Sequence, residues 1–500
     1  MPSLKSGLMS LSTCALLLLQ LVATEARIPL NPQHVKLRAR SQAAPAVAKR
    51  QGTTFPVHTF TQPLDHFVDT GFTFEQRYWL NDRHYKPGGP VIVFEAGEGP
   101  GDERMPILDT GIVDILANAT NGLGIVLEHR YYGESVPVQN FTTDSLRWLN
   151  NEQAAADSAN FIDNVTFPTI PGDLTAPGTA WIYYGGSYGG ARAAHMRGLY
   201  PHLVFGAISS SGVVHATLDD WRYFDIIRQY APAHCIAQVE KTIFEVDRLI
   251  TSPSAKTRKA IKAVFGLQNL TYDPDFASLL SDPLSAWQDN NWDPAVGSTA
   301  FAQFCDALGP PDHATVHTEQ GITVSNATFN YAKYIKSQYV ASCTPPQTQD
   351  ECFGTITAKD FYLQTDLSQT WRLWSFQVCT QWGFFMAYPP GHFFKVPAEP
   401  NITAVNSLGG YNIAYDRLAI IDGQWDPWRG DTPHSPDPAA HPRPDTIIRP
   451  FKLIFQGVHH YDENGLADHS KEPPQIRAIH EQEVEFVKAW LKDFKPPCKP

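Results

Sequence analysis

The chain has 500 residues, of which 43% are hydrophobic and 18% charged, a composition typical of a folded globular protein. Its formal net charge is −12. Residues 1–50 hold seven of the 39 basic and one of the 51 acidic residues, which leaves 32 basic and 50 acidic residues in 51–500, a net charge of −18. A surface this acidic argues against nucleic acid as a partner.

The N-terminus predicts a signal peptide over residues 1–26. Lys5 precedes an apolar run from Leu8 to Val22, which is too short to span a bilayer, and small residues suit cleavage near 23–26. We therefore expect a secreted protein without a membrane partner, or alternatively one delivered to a vacuolar or lysosomal lumen.

The next segment, residues 27–50, has six basic residues, no acidic residue and a terminal Lys49-Arg50 pair. This pattern predicts a basic propeptide that is removed after Arg50. A basic linker that stays attached is the alternative interpretation.

Short apolar runs alternate with helical patterns after the propeptide, which predicts an α/β fold. The predicted strands are 90–94, 124–127, 181–184 and 205–209, and a helix is predicted over 151–164. Two further strands are predicted late in the chain, at 417–421 and 451–455, followed by an amphipathic helix at about 474–494.

The strand at 181–184 leads directly into Gly185-Gly186-Ser187-Tyr188-Gly189, a Gly-x-Ser-x-Gly turn, and then into a helical pattern. A strand, a tight turn and a helix in this order are what a nucleophile elbow requires. Ser187 is the candidate nucleophile, and the backbone N–H of Tyr188 is a candidate oxyanion donor. The alternative is a glycine-rich turn without catalytic meaning.

A second oxyanion donor is expected in the loop after the strand at 90–94, and this loop holds several glycines that permit close approach to a ligand. Glu98 or Gly99 is the candidate. Glu98 is also a candidate anchor for a substrate amine.

A serine nucleophile needs a base and an acid that orients the base. The two late strands end in acidic and histidine residues, in the chain order Ser, Asp, His. The residues alone leave two acids open, Asp422 and Asp426, and two bases, His459 and His460.

The nucleophile and the acid are separated by about 240 residues, more than a hydrolase core needs. We expect an inserted, mostly helical cap at 215–400, with 221–251 helical, between core segments 51–214 and 401–500. The proline-rich stretch 431–445 is predicted to be an exposed loop.

Six cysteines remain after the signal peptide, which predicts three disulfides with fifteen alternative pairings. No zinc-binding motif appears, so we expect no metal and no cofactor. Six Asn-x-Thr sequons are candidate glycosylation sites: Asn118, Asn140, Asn164, Asn269, Asn326 and Asn401.

Five motifs in order resemble the Pro-Xaa carboxypeptidase and dipeptidyl peptidase II family of serine peptidases. In chain order they are Gln62 to Phe67 with Phe74 to Trp79, Glu128 to Ser135, the Gly-Gly-Ser-Tyr-Gly-Gly elbow, Asp426-Pro427-Trp428, and the pair His459-His460 with a following acid. The resemblance runs from about Phe60 to the C-terminus and is weakest in the middle.

The resemblance implies an α/β-hydrolase core with the helical cap between nucleophile and acid. It assigns Ser187 as nucleophile, Asp426 as orienting acid and His459 as base, and it favours a Cys235–Cys379 disulfide. It also implies cleavage after proline, with Trp428 lining the proline pocket. Tyr188, Trp374, Phe376 and Trp382 are further candidates for that pocket.

We therefore expect a secreted serine peptidase that cuts proline-containing peptides or proteins, with acidic conditions suggested by the negative charge. A secreted carboxylesterase or lipase on the same fold is the alternative. The sequence leaves open whether cleavage is internal or terminal, and whether the chain forms a homodimer.

Overall fold

The computed structural model describes residues 55–356, 359–385 and 399–496. The predicted signal peptide, the propeptide with its cleavage site and Cys498 lie outside the described residues.

Twelve strands occur in the described residues. In chain order they are β1 (Val57–Pro63), β2 (Thr73–Asn81), β3 (Val91–Glu95), β4 (Leu123–Leu127), β5 (Trp181–Gly186), β6 (Gly206–Ser210), β7 (Thr217–Asp219), β8 (Thr315–His317), β9 (Thr323–Ser325), β10 (Gly383–Phe385), β11 (Leu418–Gly423) and β12 (Phe451–Ile454).

Eight of these strands form one sheet in the order β1-β2-β4-β3-β5-β6-β11-β12. β2 runs antiparallel to both β1 and β4, and the other neighbours are parallel. The carboxyl ends of β5, β11 and β12 therefore lie at the same edge of the sheet, where open α/β sheets gather their functional groups.

Fifteen α-helices occur in the same residues. They are α1 (Met105–Asp109), α2 (Ile112–Thr120), α3 (Asn151–Asn164), α4 (Tyr188–Leu199), α5 (Trp221–Tyr230), α6 (Ala233–Ile250), α7 (Ala255–Val264), α8 (Asp273–Ser285), α9 (Ala300–Leu308), α10 (Asn326–Gln338), α11 (Gln349–Phe353), α12 (Lys359–Leu363), α13 (Trp371–Gln377), α14 (Ile402–Asn406) and α15 (Pro474–Lys492). Across the described ranges no helix combines the length and the apolar character that a membrane span needs.

Helices cover both faces of the central sheet, which explains why its inner strands are continuous apolar runs. All five residues of β3 are buried. Val91 and Val93 pack on the face covered by α3 and α4. Ile92 and Phe94 pack on the opposite face, which α2 and α15 cover. This is the α/β-hydrolase architecture that the sequence predicts.

The helices between β6 and β11 have a hydrophobic core of their own, made of residues from 223 to 353. Cys235 of α6 and Cys305 of α9 form a disulfide inside this core, with Cα atoms 5.2 Å apart. A second disulfide joins Cys343 and Cys352.

The expected Cys235–Cys379 disulfide is wrong. Cys379 is a buried free thiol that packs with Tyr131 and Tyr132 in a separate hydrophobic cluster, whereas Cys235 lies in the core of the inserted helices. Disulfide geometry requires adjacent Cα atoms, and here Cys305 occupies the position next to Cys235.

Two further expectations need correction. The segment 221–251 is two helices, because Pro232 cannot continue a helix and separates α5 from α6. The stretch 431–445 is exposed only in its later part. Its first residues are buried, since Asp431 packs against Asp220 and Ser435 donates a hydrogen bond to the Gly430 carbonyl.

Candidate active site

Ser187 sits at the junction of β5 and α4 in a strained backbone conformation, with φ +54° and ψ −121°. A non-glycine residue there costs about 1–3 kcal/mol, which the surrounding structure must offset. The turn can close because its neighbours are glycines. A Cβ on Gly185 would lie 2.2 Å from the Gly189 carbonyl oxygen, and one on Gly190 would lie 2.6 Å from the Ser210 oxygen.

Three side chains, each following the carboxyl end of a different strand of the sheet, meet at this turn. His459 Nε2 lies 3.0 Å from Ser187 Oγ, and His459 Nδ1 lies 2.8 Å from Asp426 Oδ2. Asp426 is fully buried, and its other oxygen accepts a hydrogen bond from the Trp428 backbone N–H at 2.9 Å. The arrangement fixes the carboxylate and aligns the imidazole with the hydroxyl.

The two rival residues lie elsewhere. Asp422 is buried but contacts His434, whose Nδ1 is 2.7 Å from Asp422 Oδ2. His460 turns to Glu463, with Nδ1 3.0 Å from Oε2. Burial alone would lower the pKa of His460, but the Glu463 carboxylate outweighs it and raises the pKa above its ordinary value.

Tyr188 is the first residue of α4, so its backbone N–H is among the helix donors that have no acceptor within the helix. The loop after β3 lies beside it, because a Cβ on Gly97 would be 3.7 Å from the Gly189 nitrogen. Glu98 and Gly99 follow in that loop. Glu98 is half-buried, and its charge acts on His460, Tyr132 and Tyr188, which places its carboxylate near the site.

A buried ion pair that no sequence motif indicates lies beneath the elbow. Arg192 of α4 lies 3.3 Å from Glu95 at the end of β3, and it donates to the Ser158 hydroxyl at 3.0 Å. Tyr183 also donates to Glu95, and burial with that carboxylate raises the Tyr183 pKa. The pair fixes the helix behind Ser187 to the strand that precedes the Glu98 loop.

The Glu128 to Ser135 motif acts as scaffold. The Glu128 carboxylate accepts from Arg77 Nη2 at 2.6 Å and from Ser135 Oγ at 2.6 Å. His129 Nε2 lies 3.0 Å from the Tyr188 hydroxyl. Burial and the Arg192 charge lower the pKa of His129 to about 4, so the ring is neutral over most of the pH range. The motif supports the residue that follows the serine.

Trp428 stands beside the triad, with its ring centroid 6.3 Å from that of His459. It is half-buried, packs edge-on against Phe384 and Tyr223, and donates through Nε1 to Gln288 Oε1 at 2.9 Å. Gln288 comes from the segment after α8, so the inserted helices orient this indole.

The other aromatic candidates differ in burial. Trp374 is half-buried against the Tyr188 ring, at 5.4 Å. Trp382 is fully buried and Phe376 nearly so, which makes both of them core residues.

A pair of buried carboxyl groups joins the inserted helices to the loop that carries Asp426. Asp220 caps the N-terminus of α5, and its side chain is hydrogen-bonded to that of Asp431. Burial is the main cause that raises both pKa values, that of Asp431 to about 8. The pair therefore holds a proton below that pH.

The six candidate glycosylation sites differ in exposure. Asn118, Asn164, Asn269 and Asn401 are exposed, and Asn140 and Asn326 are half-buried. Asn326 Nδ2, the atom a glycan would occupy, donates to Asp312 at 2.7 Å. Glycosylation stays a prediction at all six.

Comparisons with known proteins agree with this architecture. The family model for serine carboxypeptidase S28 matches residues 62–400, a range that includes Ser187 and ends before Asp426. A probable extracellular serine carboxypeptidase of Arthroderma benhamiae is 37% identical over 541 residues, which cover 97% of this chain and 75% of that relative. The lysosomal Pro-X carboxypeptidase of Homo sapiens is 27% identical over 543 residues, which cover 96% of this chain and 97% of that relative.

Among solved structures, the proline iminopeptidase of Mycobacterium smegmatis aligns at 14% identity with a TM-score of 0.37, covering 86% of this chain and 100% of that chain. The family match covers more than half of the chain, and the relative from Arthroderma benhamiae is 37% identical over nearly all of it. The chain therefore belongs to the serine carboxypeptidase S28 family and is a serine-type peptidase.

Proposed function

We propose that this protein is a secreted serine carboxypeptidase that removes residues following proline, with Ser187 as nucleophile, His459 as general base and Asp426 as orienting acid. The observation that carries the assignment is the continuous hydrogen-bonded line from Asp426 through His459 to Ser187, with contacts of 2.8 and 3.0 Å. A nucleophile, a base within reach and a third group that orients the base define this chemistry.

The reaction follows from the geometry. His459 Nε2 takes the Ser187 proton as Oγ attacks the substrate carbonyl, and Asp426 stabilises the imidazolium through Nδ1–H. The Tyr188 N–H, with Glu98 or Gly99 as second donor, stabilises the oxyanion. His459 then gives its proton to the leaving amine, and water hydrolyses the acyl-enzyme by the same steps.

Proline selectivity is proposed for the surface that Trp428 forms next to His459. A proline ring offers no N–H to recognise, so a pocket for it selects by shape and apolar contact. The Nε1–H···Gln288 hydrogen bond holds the indole in one orientation. The relative from Homo sapiens is named a Pro-X carboxypeptidase, which supports the same substrate class.

An acidic working pH is proposed from the Asp220–Asp431 pair and the acidic composition. The pKa of Asp431 is raised from 3.8 to about 8 by burial. Because the protonated carboxyl is favoured in the folded protein, Asp431 contributes its full stabilisation below 3.8, the pKa of the unfolded chain. This stabilisation is lost as the pH rises through about 8.

The charged groups around Asp220 and Asp431 do not remove this dependence of folding stability on pH. Arg222, the nearest cation, is itself bonded to a carboxylate, and His215 Nδ1 is 3.7 Å from Asp431. The groups that face the pair are Arg222, Asp437, His215 and Tyr411.

The opposite limit is set by carboxylates such as Asp157. Burial would raise the pKa of Asp157, but Arg130 outweighs it and lowers the value. Its stabilising contribution is present above 3.8 and lost below. Together these groups favour the folded protein at acidic pH, above about 3.8 and below about 8.

Secretion is proposed from the predicted signal peptide and from the name of the Arthroderma benhamiae relative, a probable extracellular enzyme. A vacuolar or lysosomal lumen is the alternative.

The test is a digest of matched peptides by the secreted protein and by Ser187→Ala, followed by mass spectrometry from about pH 4 to about pH 7. Each peptide has one internal proline, a partner with alanine in its place, and free or amidated C-termini. We expect cleavage after proline, dependence on the free carboxylate and no cleavage by the variant. Cleavage of amidated peptides would show an endopeptidase, and hydrolysis of long-chain esters alone would replace the proposal with the esterase.

A further inference from the structure

Three metal-ligating side chains gather at the start of α15, outside the catalytic machinery. His469 lies in a short 3-10 helix, Glu472 follows it, and His480 is in the second turn of α15. Their donor atoms all lie within 4.8 Å of one another. We refer to His469, Glu472 and His480 as the His–Glu–His cluster.

Glu472 stands at the centre of the cluster. His469 Nδ1 is 2.8 Å from Glu472 Oε1, and His480 Nδ1 is 3.1 Å from Glu472 Oε2. Glu472 and His480 are buried, whereas the His469 side chain is 46% exposed. The exposed histidine leaves a route from solvent to the carboxylate.

The hydrogen bonds of His480 point to a shared proton or a metal ion at the cluster. Its Nε2 lies 2.8 Å from the Asp462 carbonyl oxygen, which can only accept, so Nε2 carries a hydrogen. A neutral imidazole has no second hydrogen for Nδ1, yet Nδ1 faces the Glu472 carboxylate. Either a second proton or a metal ion must occupy the space between Nδ1 and that carboxylate.

The donor set matches a metal of the zinc class. Two imidazoles and one carboxylate, with a position left for water, are common zinc ligands at about 2.0–2.2 Å, and tetrahedral ligand atoms then lie about 3.3 Å apart. The two imidazole nitrogens lie 2.8 and 3.1 Å from different oxygens of the Glu472 carboxylate, and the three ligand atoms lie within 4.8 Å of one another, so rotation of the side chains would bring them to these separations. A metal-binding histidine also commonly donates its other N–H to a carbonyl, as His480 does to Asp462.

We propose that the His–Glu–His cluster binds one divalent metal ion of the zinc class through His469 Nδ1, Glu472 and His480 Nδ1. The ion would link the 3-10 helix to α15. Through the Asp462 carbonyl it would also stabilise the segment that follows His459. The role is structural and does not depend on the proposed peptidase specificity.

The spacing of these residues explains why no motif revealed them. The ligands lie three and eight residues apart across a turn, whereas known zinc signatures place two ligands within one helix or one tight loop. Only the packing of α15 on the preceding segment brings His480 to Glu472.

The test is calorimetric titration of zinc into the EDTA-treated and dialysed full-length protein at about pH 7.5, without a histidine tag. We expect one equivalent to bind the wild type, with an affinity at least about tenfold lower in His469→Ala. The control is His84→Ala, because His84 also pairs with a carboxylate, Asp114, at 2.8 Å, and is partly exposed. It should bind zinc like the wild type.

A second measurement needs no variant. Cobalt(II) added to the wild type should give visible absorption that saturates at one equivalent and disappears when zinc displaces it. Failure of the wild type to bind either metal would overturn the proposal. Equal zinc affinity in His469→Ala and wild type would overturn it as well.

Discussion

Replacing Asp426 with asparagine should abolish most catalysis while leaving the fold intact. Asp426 accepts from His459 Nδ1 at 2.8 Å and from the Trp428 N–H at 2.9 Å. An asparagine can keep its oxygen on the Trp428 N–H, but it then presents its NH₂ group to His459. The imidazole must turn to the tautomer that carries its hydrogen on Nε2, which cannot accept the Ser187 proton.

The expected loss follows from that tautomer change. Nε2 lies 3.0 Å from Ser187 Oγ and is the acceptor on which activation of the serine depends. An equivalent change in a serine peptidase lowers kcat by about 10⁴-fold. This corresponds to about 5.5 kcal/mol of transition-state stabilisation. The assay is kcat on a prolyl peptide, with KM and Tm measured on the same preparations.

Asp422→Asn is the matched control, because Asp422 is also buried and also paired with a histidine, His434, at 2.7 Å. We expect its kcat to stay within about threefold of wild type and its Tm to fall, since the change disturbs a buried hydrogen bond. A loss of kcat in Asp422→Asn comparable to that in Asp426→Asn would refute the assignment.

Three further changes test other parts of the account. Asp431→Asn removes a carboxyl whose pKa is raised to about 8. The fall in Tm between about pH 5 and about pH 8.5 should therefore be smaller in the variant than in wild type. An equal fall in both proteins would show that deprotonation of Asp431 does not destabilise the fold. Gly186→Ala places a Cβ 1.7 Å from Glu463 Oε1 and should lower Tm and activity. In Gly178→Ala the new Cβ would lie 3.3 Å from the Thr175 carbonyl oxygen, so Tm should fall less and activity should stay unchanged. Trp428→Ala should raise KM for proline peptides by about tenfold or more, because apolar contact with the proline ring is lost. KM for a small acetate ester should change little. An equal rise in KM for both substrates would argue against a proline pocket.

The sequence predicts the parts of this structure that rest on local pattern. The strand predicted at 90–94 is β3 shifted by one residue, and the helix predicted over 151–164 is α3. Both are legible because a continuous apolar run marks a buried parallel strand and a capped amphipathic segment marks a helix. The antiparallel pair β1 and β2 was not predicted as strands, since β1 is mostly polar and only partly buried.

Contacts between distant residues are the part that the sequence does not contain. Glu95 and Arg192 are 97 residues apart, and nothing local marks them as an ion pair. The Cys235–Cys379 pairing that the family resemblance favoured was wrong, and spacing alone cannot select Cys305 for Cys235 among fifteen pairings. The roles proposed for Ser187, His459 and Asp426 rest on motifs that lie far apart in the chain and that the fold brings together.

The most direct test of the central claim is to label the secreted protein with a fluorophosphonate and map the adduct by mass spectrometry. The account predicts one adduct, on Ser187, that forms in step with loss of peptidase activity. His459→Ala should block labelling, and His460→Ala should retain it. An adduct on another serine, or peptidase activity that persists after Ser187 is fully labelled, would contradict the account.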